Sequence, residues 1–346
     1  MAHGLGLPWL GALFSLSLIL AYGLIFNAVQ SNSIADAVEA AFGFDKLWIG
    51  VALAALSAIV IFGGIRSIAN VAEIVVPFMA IAYLAVALYV VAIHITEVPA
   101  MLWLIIKSAF GYQEATWGVA GGITAALLNG VKRGLFSNEA GMGSAPNIAA
   151  VATPDPHHPA SQGLVQGLGV FIDTLVICTA TALMILLSGV YTPGQEVTGT
   201  ELTQTALSAH IGDWGQIFVA VAIFFFAFTS IIGNYSYAEN AMTFLGAGNR
   251  IWLSILKVGV LAMVVWGSLV KVETVFNTAD ASMGLMATIN LIAIVALSGT
   301  VVKLTRDYFR QKASGLEPRF DNDDYPELRG KIDSTIWTPE GDVLKD

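Results

Sequence analysis

NGVKRGLFSNEAGMGSAPNIAAVA, residues 129–152, is the stretch on which the fold turns. It lies in the middle of a very hydrophobic chain, yet it holds Lys132, Arg133, Ser137, Asn138, Glu139, Ser144 and Asn147. A helix crossing lipid must satisfy its backbone N–H and C=O groups internally. Gly141, Gly143 and Pro146 work against that, two through backbone entropy and one through a missing donor. Polar and ionisable groups at membrane depth are costly and mark a pathway or a site. A broken helix with polar side chains at the break is how many transporters build a midplane binding site. A re-entrant loop, or a helix contact made by small residues, is the plainer alternative.

Working outward, the composition places the chain in a membrane. Hydrophobic residues make up 56% of its 346 residues and charged ones 12%, against about 25% charged in ordinary soluble domains. The expected class is an all-α polytopic membrane protein with about eight crossings, since about 20 apolar residues span a bilayer. They fall near 7–29, 47–62, 70–93, 117–152, 162–187, 214–245, 251–270 and 283–302. Polar connections are expected at 30–46 and 188–213. A short interfacial helix is expected within 94–116, with Trp103, Lys107, Tyr112 and Trp117 suited to the headgroups. Domain organisation follows: a transmembrane unit over 1–312 and a polar, solvated, largely unfolded tail over 313–346.

Lys303, Arg306, Arg310 and Lys312 follow the last span at once, which favours a cytoplasmic C-terminus. With eight spans the N-terminus is then inside as well. Part of the net charge of −9 comes from the tail, where residues 303–346 hold ten Asp/Glu against eight Lys/Arg. There is no basic face interleaved with aromatics, so nucleic acid is not an expected partner. The single cysteine, Cys178, excludes an intramolecular disulfide and reads as a packing residue. His157 and His158, in the loop TPDPHHPAS, lack the further partners that a metal site needs. Asp173 stands alone in an apolar span, either as a functional carboxylate or as a hydrogen-bonded helix partner. No nucleophile–base pair sits at membrane depth, so an enzyme is not expected. A channel or scaffold is the alternative from another class, but no repeated filter sequence supports it.

GVKRGLFSNEAGMGSAP, at 130–146, resembles the signature of the alanine/glycine:cation symporters, or sodium:alanine symporters. NSIADAV at 32–38, IFGGIRSIANVAEIVVPFMAIAY at 61–83, QGLGVFIDTLVICTATAL at 166–183 and FAFTSIIGNYSYAEN at 226–240 are similar to that family too. So is the segment from 280 onward to 308. The resemblance covers roughly residues 7–310. Members of the family begin further upstream, so it also implies that the N-terminal helices are missing here, and a non-transporting fragment is a second reading.

The resemblance implies a LeuT-type fold of two inverted repeats, here N-terminally incomplete. The eight spans then map onto the last three helices of one repeat and all five of the next. It implies sodium-coupled symport of alanine or glycine into the cell by alternating access across the plasma membrane, with the bilayer as surroundings and no cofactor beyond the sodium ion. On this mapping Phe136, Ser137, Asn138 and Gly141 contact substrate, and Asn234 closes the other wall. Thr229 and Ser230 bind sodium, next to Gly233, where carbonyls can be opened. Lys132 and Arg133 are expected at the outer vestibule or against a gate partner such as Glu139. Ser and Thr in spans also commonly bond the i−4 carbonyl of their own helix, which is the structural alternative for those hydroxyls.

Overall fold

Pro8, which lacks the N–H a first helical turn leaves unused, opens a helix (α1, Pro8–Phe42) that ends at Gly43 with φ 71°. A computed structural model describes residues 1–110, 118–150, 152–192, 199–328, 331–332 and 337. Tyr112, Trp117, Glu196 and Pro339 lie outside the described residues, as does the side chain of Arg66. The first helix is longer than its apolar run. Residues 30–42, expected as a polar connection, continue the helix because their polar side chains find buried partners. Ser31 donates to the Val264 carbonyl at 2.5 Å, and Asn32 donates to Gly267 and Val270 at 3.0 and 2.7 Å. The Gly267 carbonyl lies in the last turn of α10 (Arg250–Leu269) and the Val270 carbonyl just after it, where the α10 backbone offers no donor, while the Val264 carbonyl sits one turn earlier. A Cβ on Gly267 would lie 2.4 Å from the Ala28 carbonyl oxygen, so glycine is required for the approach.

Within α1 the stretch Ile19–Ile25 widens to π-helical hydrogen bonding. Asn27 explains how it is held: its amide donates to the Tyr22 and Gly23 carbonyls at 2.9 and 3.1 Å. π-Turns inside α-helices are frequent at functional sites.

α2 (Lys46–Phe62) starts on the Asp45 side chain, which accepts from Leu47 N. Gly64, at φ 80°, turns the chain into α3 (Ile65–Ile93), with Pro77 inside it. α4 (Val98–Ala109) is the expected short helix and carries Trp103 and Lys107. α5 (Gly118–Asn138) and α6 (Ala145–Ala149) are the two halves of the expected broken span. α7 (Pro159–Leu187) is interrupted by a second π-helical stretch, Asp173–Cys178. The expected loop at 188–213 holds a further helix, α8 (Gly199–Ile211). Gln204 fixes it by donating to the Ala37 and Gln216 carbonyls at 2.9 and 3.2 Å.

α9 (Trp214–Phe244) runs unbroken through Gly233, so no carbonyls are opened there. α11 (Val272–Ala313) is much longer than its apolar run.

The core forms where α1, α9 and α10 meet, with Ile231, Ile232, Tyr235, Val260 and Val264 fully buried. Outside it the chain presents large apolar side chains such as Phe78, Phe171 and Val295. So much exposed apolar surface is stable against lipid and not against water. Among the described residues, six helices are long and apolar enough to cross a membrane: α1, most of α3, α7, α9, α10 and α11. α2, with 17 residues, is shorter. After α11 the chain does not hang free. Phe320, Tyr325 and Leu328 are buried together against Leu304, which corrects the unfolded-tail expectation for this part.

Candidate functional site

The break between α5 and α6 is built by positive φ. Glu139 sits at 59°, Gly141 at 86° and Gly143 at 90°. A non-glycine residue there is costly and held by its surroundings. Asn138 starts the turn, its side-chain oxygen accepting from Ala140 N at 3.0 Å. Gly143 admits no side chain: a Cβ would lie 2.7 Å from both Asn290 and Phe14. Asn290, on α11, donates to the freed Gly141 carbonyl at 2.9 Å. Ser144 donates to Glu139 Oε2 at 2.6 Å and accepts from the Tyr22 hydroxyl at 3.0 Å. This chain ties the break to the π-helical stretch of α1. Asn147 and Asn240 extend the tie to α9 at 2.8 Å.

Beside the break lies a cavity of about 800 Å³ whose wall includes Ser137, Asn138, Glu139, Gly141, Asp173 and Asn290. Asp173 opens the π-helical stretch of α7 and accepts from Ser137 Oγ at 2.7 Å. Asn138 donates to Thr174 Oγ1 at 2.9 Å, one residue on. The Cys178 thiol lies 3.5 Å from Ser137 Oγ. Two carboxylates therefore face the cavity, while no Lys, Arg or His side chain lines it among the described residues. Carboxylates lining a cleft focus a negative potential that raises the local concentration of cations.

Three of the expected substrate contacts, Ser137, Asn138 and Gly141, thus line one space. Phe136 does not. It stacks on Phe26 with centroids 5.0 Å apart and tilts against Phe276 at 5.8 Å. Asn234 is buried away from the cavity and donates to Asn27 at 3.1 Å. Thr229 donates to the Phe225 and Phe226 carbonyls at 3.0 Å each, and Ser230 to Phe226 at 2.9 Å. Arg133 meets Asp280 at 2.5 Å, with Lys132 at 3.7 Å, so their partner is Asp280 rather than Glu139. The sequence reading missed Asp280, Asn290 and the hydroxyls on Glu139. Asn290 carried a signal, as an amide in the apolar run 283–302. His158 caps α7 by accepting from Ala160 N at 3.0 Å, and no group of three metal-ligating side chains forms among the described residues.

A profile of the sodium:alanine symporter family matches residues 1–322. The chain belongs to that family. Among similar relatives, Bacillus subtilis (strain 168) has the probable sodium/glutamine symporter GlnT, 48% identical over 93% of this chain and 66% of its own length. The amino-acid carrier protein AlsT of the same organism is 46% identical over 97% of this chain and 70% of its own. The sodium/alanine symporter AgcS of Methanococcus maripaludis is 39% identical over 88% and 66%. The chain thus spans about two thirds of the length of these symporter-family relatives. The expectation of missing N-terminal helices gains no support from the matches, which run over most of this chain.

Proposed function

We propose that this chain serves sodium-coupled symport of a small neutral amino acid, alanine or glycine, by alternating access. The observation that carries the reading is the cavity at the helix break, where Ser137, Asn138 and Gly141 share a wall with two carboxylates and, among the described residues, no Lys, Arg or His side chain. A zwitterionic amino acid needs an anionic or amide oxygen for its ammonium and N–H donors for its carboxylate. Asp173 and the Asn138 amide supply the first kind of group, and the broken backbone supplies the second. The names of AgcS and AlsT support an amino acid, and that of AgcS supports sodium and alanine. The name of GlnT makes glutamine the competitor to test.

In the LeuT-type, eight-span arrangement proposed here, α5 and α6 are the second broken helix, and α9 offers Thr229 and Ser230 to sodium. Both hydroxyls give their hydrogen to a carbonyl of their own helix, which leaves the oxygen lone pairs for a cation. Phe136 and Asn234 join the site in another conformation of the cycle. The basic residues after the last span orient the C-terminus and the 313–346 tail to the cytoplasm of the cell whose plasma membrane it crosses. The experiment is uptake of labelled alanine by the purified protein in proteoliposomes, with and without a sodium gradient, against unlabelled alanine, glycine, serine and glutamine. Gradient-driven uptake inhibited best by glycine or unlabelled alanine is expected. Uptake indifferent to sodium, or displaced best by glutamine, overturns the coupling or the substrate respectively.

A further inference from the structure

The segment after α11 makes more contact than a solvated tail has reason to make. Gly315, at φ 74°, reverses the chain, and Gln311 then clamps the returning backbone on both sides. Its amide donates to the Arg319 carbonyl at 2.9 Å, and its oxygen accepts from Arg319 N at 2.9 Å. One residue on, Phe320 N donates to the His157 carbonyl at 3.0 Å. His157 and His158 belong to the loop that joins α6 to α7. Phe320 is 2% exposed and packs edge-on against the His158 ring, with centroids 5.9 Å apart. Tyr308 of α11 also meets the His158 ring edge-on, with centroids 5.4 Å apart.

Three cavity walls meet at this contact. Pro146 and Asn147 of α6, Gln166 and Asp173 of α7, and Val301 of α11 all line the cavity. Asp307 follows Val301 by less than two turns of helix and faces His158 Nε2 at 3.6 Å. We propose that residues 316–328 form a strap that ties the end of α11 to the loop between α6 and α7, limits how far those cavity walls can part, and is released in acid through His158. The proposal rests on the reading of the cavity as the transport site.

The chemistry of release is local. His158 is fully buried and its Nδ1 accepts from Ala160 N, so the neutral ring carries its proton on Nε2. That nitrogen makes no close hydrogen bond and has Asp307 Oδ2 at 3.6 Å. A second proton must go to Nδ1, where it would face the Ala160 N–H and remove the cap of α7. The groups around the ring are Asp307 and Tyr308 on α11, with Arg310, Gln311 and the strap's Tyr325 already engaging Asp307, and His157 beside it in the loop. Burial makes His158 harder to protonate, and Asp307 offsets this only in part. The docked strap therefore binds that proton less well than the released one. Docking is complete above the ordinary histidine value of about 6.5 and weakens as the pH falls below it.

Two readouts test this on the full chain in proteoliposomes. The first is amide hydrogen exchange over 316–328 between about pH 7.5 and pH 5.5, which brackets the histidine transition, corrected for intrinsic exchange. Protection in the wild type is expected to fall at the lower pH. His158→Asn keeps a capping oxygen for Ala160 N but cannot titrate, so its protection should be flat across the range. Phe320→Ala, or Leu328→Ala should that variant fail to fold, should leave the segment unprotected at both values. The second readout is alanine uptake: the Phe320→Ala rate at the higher pH should match that of wild type at the lower, and its pH step should vanish. Protection that ignores pH in the wild type, or a pH step that survives His158→Asn, removes His158 from the device. Uptake unchanged by Phe320→Ala overturns the strap's control of the cavity. Absence of any sodium-driven uptake in the wild type overturns the transport reading instead, and the exchange data still decide whether the strap exists.

Discussion

Gly143 and Asn138 do opposite kinds of work within six residues. Gly143 is there for what it lacks: at φ 90°, any Cβ collides with Asn290 and Phe14. Gly143→Ala is expected to cost about 1–3 kcal/mol from the backbone conformation alone, read as a lower melting temperature of the purified protein. Asn138 is there for what it bonds, Ala140 N within the turn and Thr174 on α7. Asn138→Leu keeps the approximate volume and deletes both. If the amide also meets substrate, alanine binding weakens by about 1–3 kcal/mol, roughly tenfold or more, in protein that stays monodisperse. A lower melting temperature with unchanged alanine affinity would make Asn138 a structural residue only. Thr229→Ala and Ser230→Ala probe the sodium assignment in the same way. Each loses a hydroxyl bonded only to its own helix, so stability should change little while the sodium concentration for half-maximal uptake rises. A sodium dependence unchanged in both variants sinks the assignment.

At the scale of the element, apolar run length located the long helices but misplaced where they stop. The break at 139–144 was legible because Gly141, Gly143 and Pro146 declare it locally. The continuation of α1 to Phe42 was not, because Ser31 and Asn32 look like loop residues until the carbonyls of α10 are placed opposite them. Gln204 hid α8 for the same reason, its partners lying on α1 and α9. Polar residues that satisfy a distant backbone carry no signal in their own neighbourhood. The α1–α10 contact makes this measurable. Asn32→Leu leaves the Gly267 and Val270 carbonyls buried and without their donor, at about 1–3 kcal/mol for a buried group left unpaired. Its melting temperature should fall, while alanine affinity, set at the other end of α1, should hold. Equal loss of both would mean that the two ends of α1 are coupled.

Across the whole molecule, the elements converge on one space, and charge decides what that space accepts. Asp173 and Glu139 both face it, yet their neighbours assign them different duties. Glu139 is enclosed by Ser144 and the tyrosine hydroxyls of α1 and α9, so it joins three elements. Asp173 accepts one hydrogen bond, from Ser137, and otherwise faces the cavity from the π-helical stretch of α7. The sequence made Asp173 conspicuous without separating a site carboxylate from a helix partner, since that depends on which groups reach it through space. Neutralising each in turn separates the duties. Asp173→Asn retains an oxygen for Ser137 and removes the charge, so folding should survive while cation-dependent binding weakens. A hydrogen bond to a charged group is worth about 1.5–3 kcal/mol, or roughly tenfold and upward in affinity for alanine in sodium. Glu139→Gln keeps the shape but weakens a junction of three elements, so its larger effect should be on the melting temperature. Calorimetric alanine titrations at fixed sodium, paired with thermal unfolding of each variant, read both quantities. If Asp173→Asn binds alanine as the wild type does and melts earlier, its carboxylate is a helix partner, and the cation-selective reading of the cavity must then rest on Glu139.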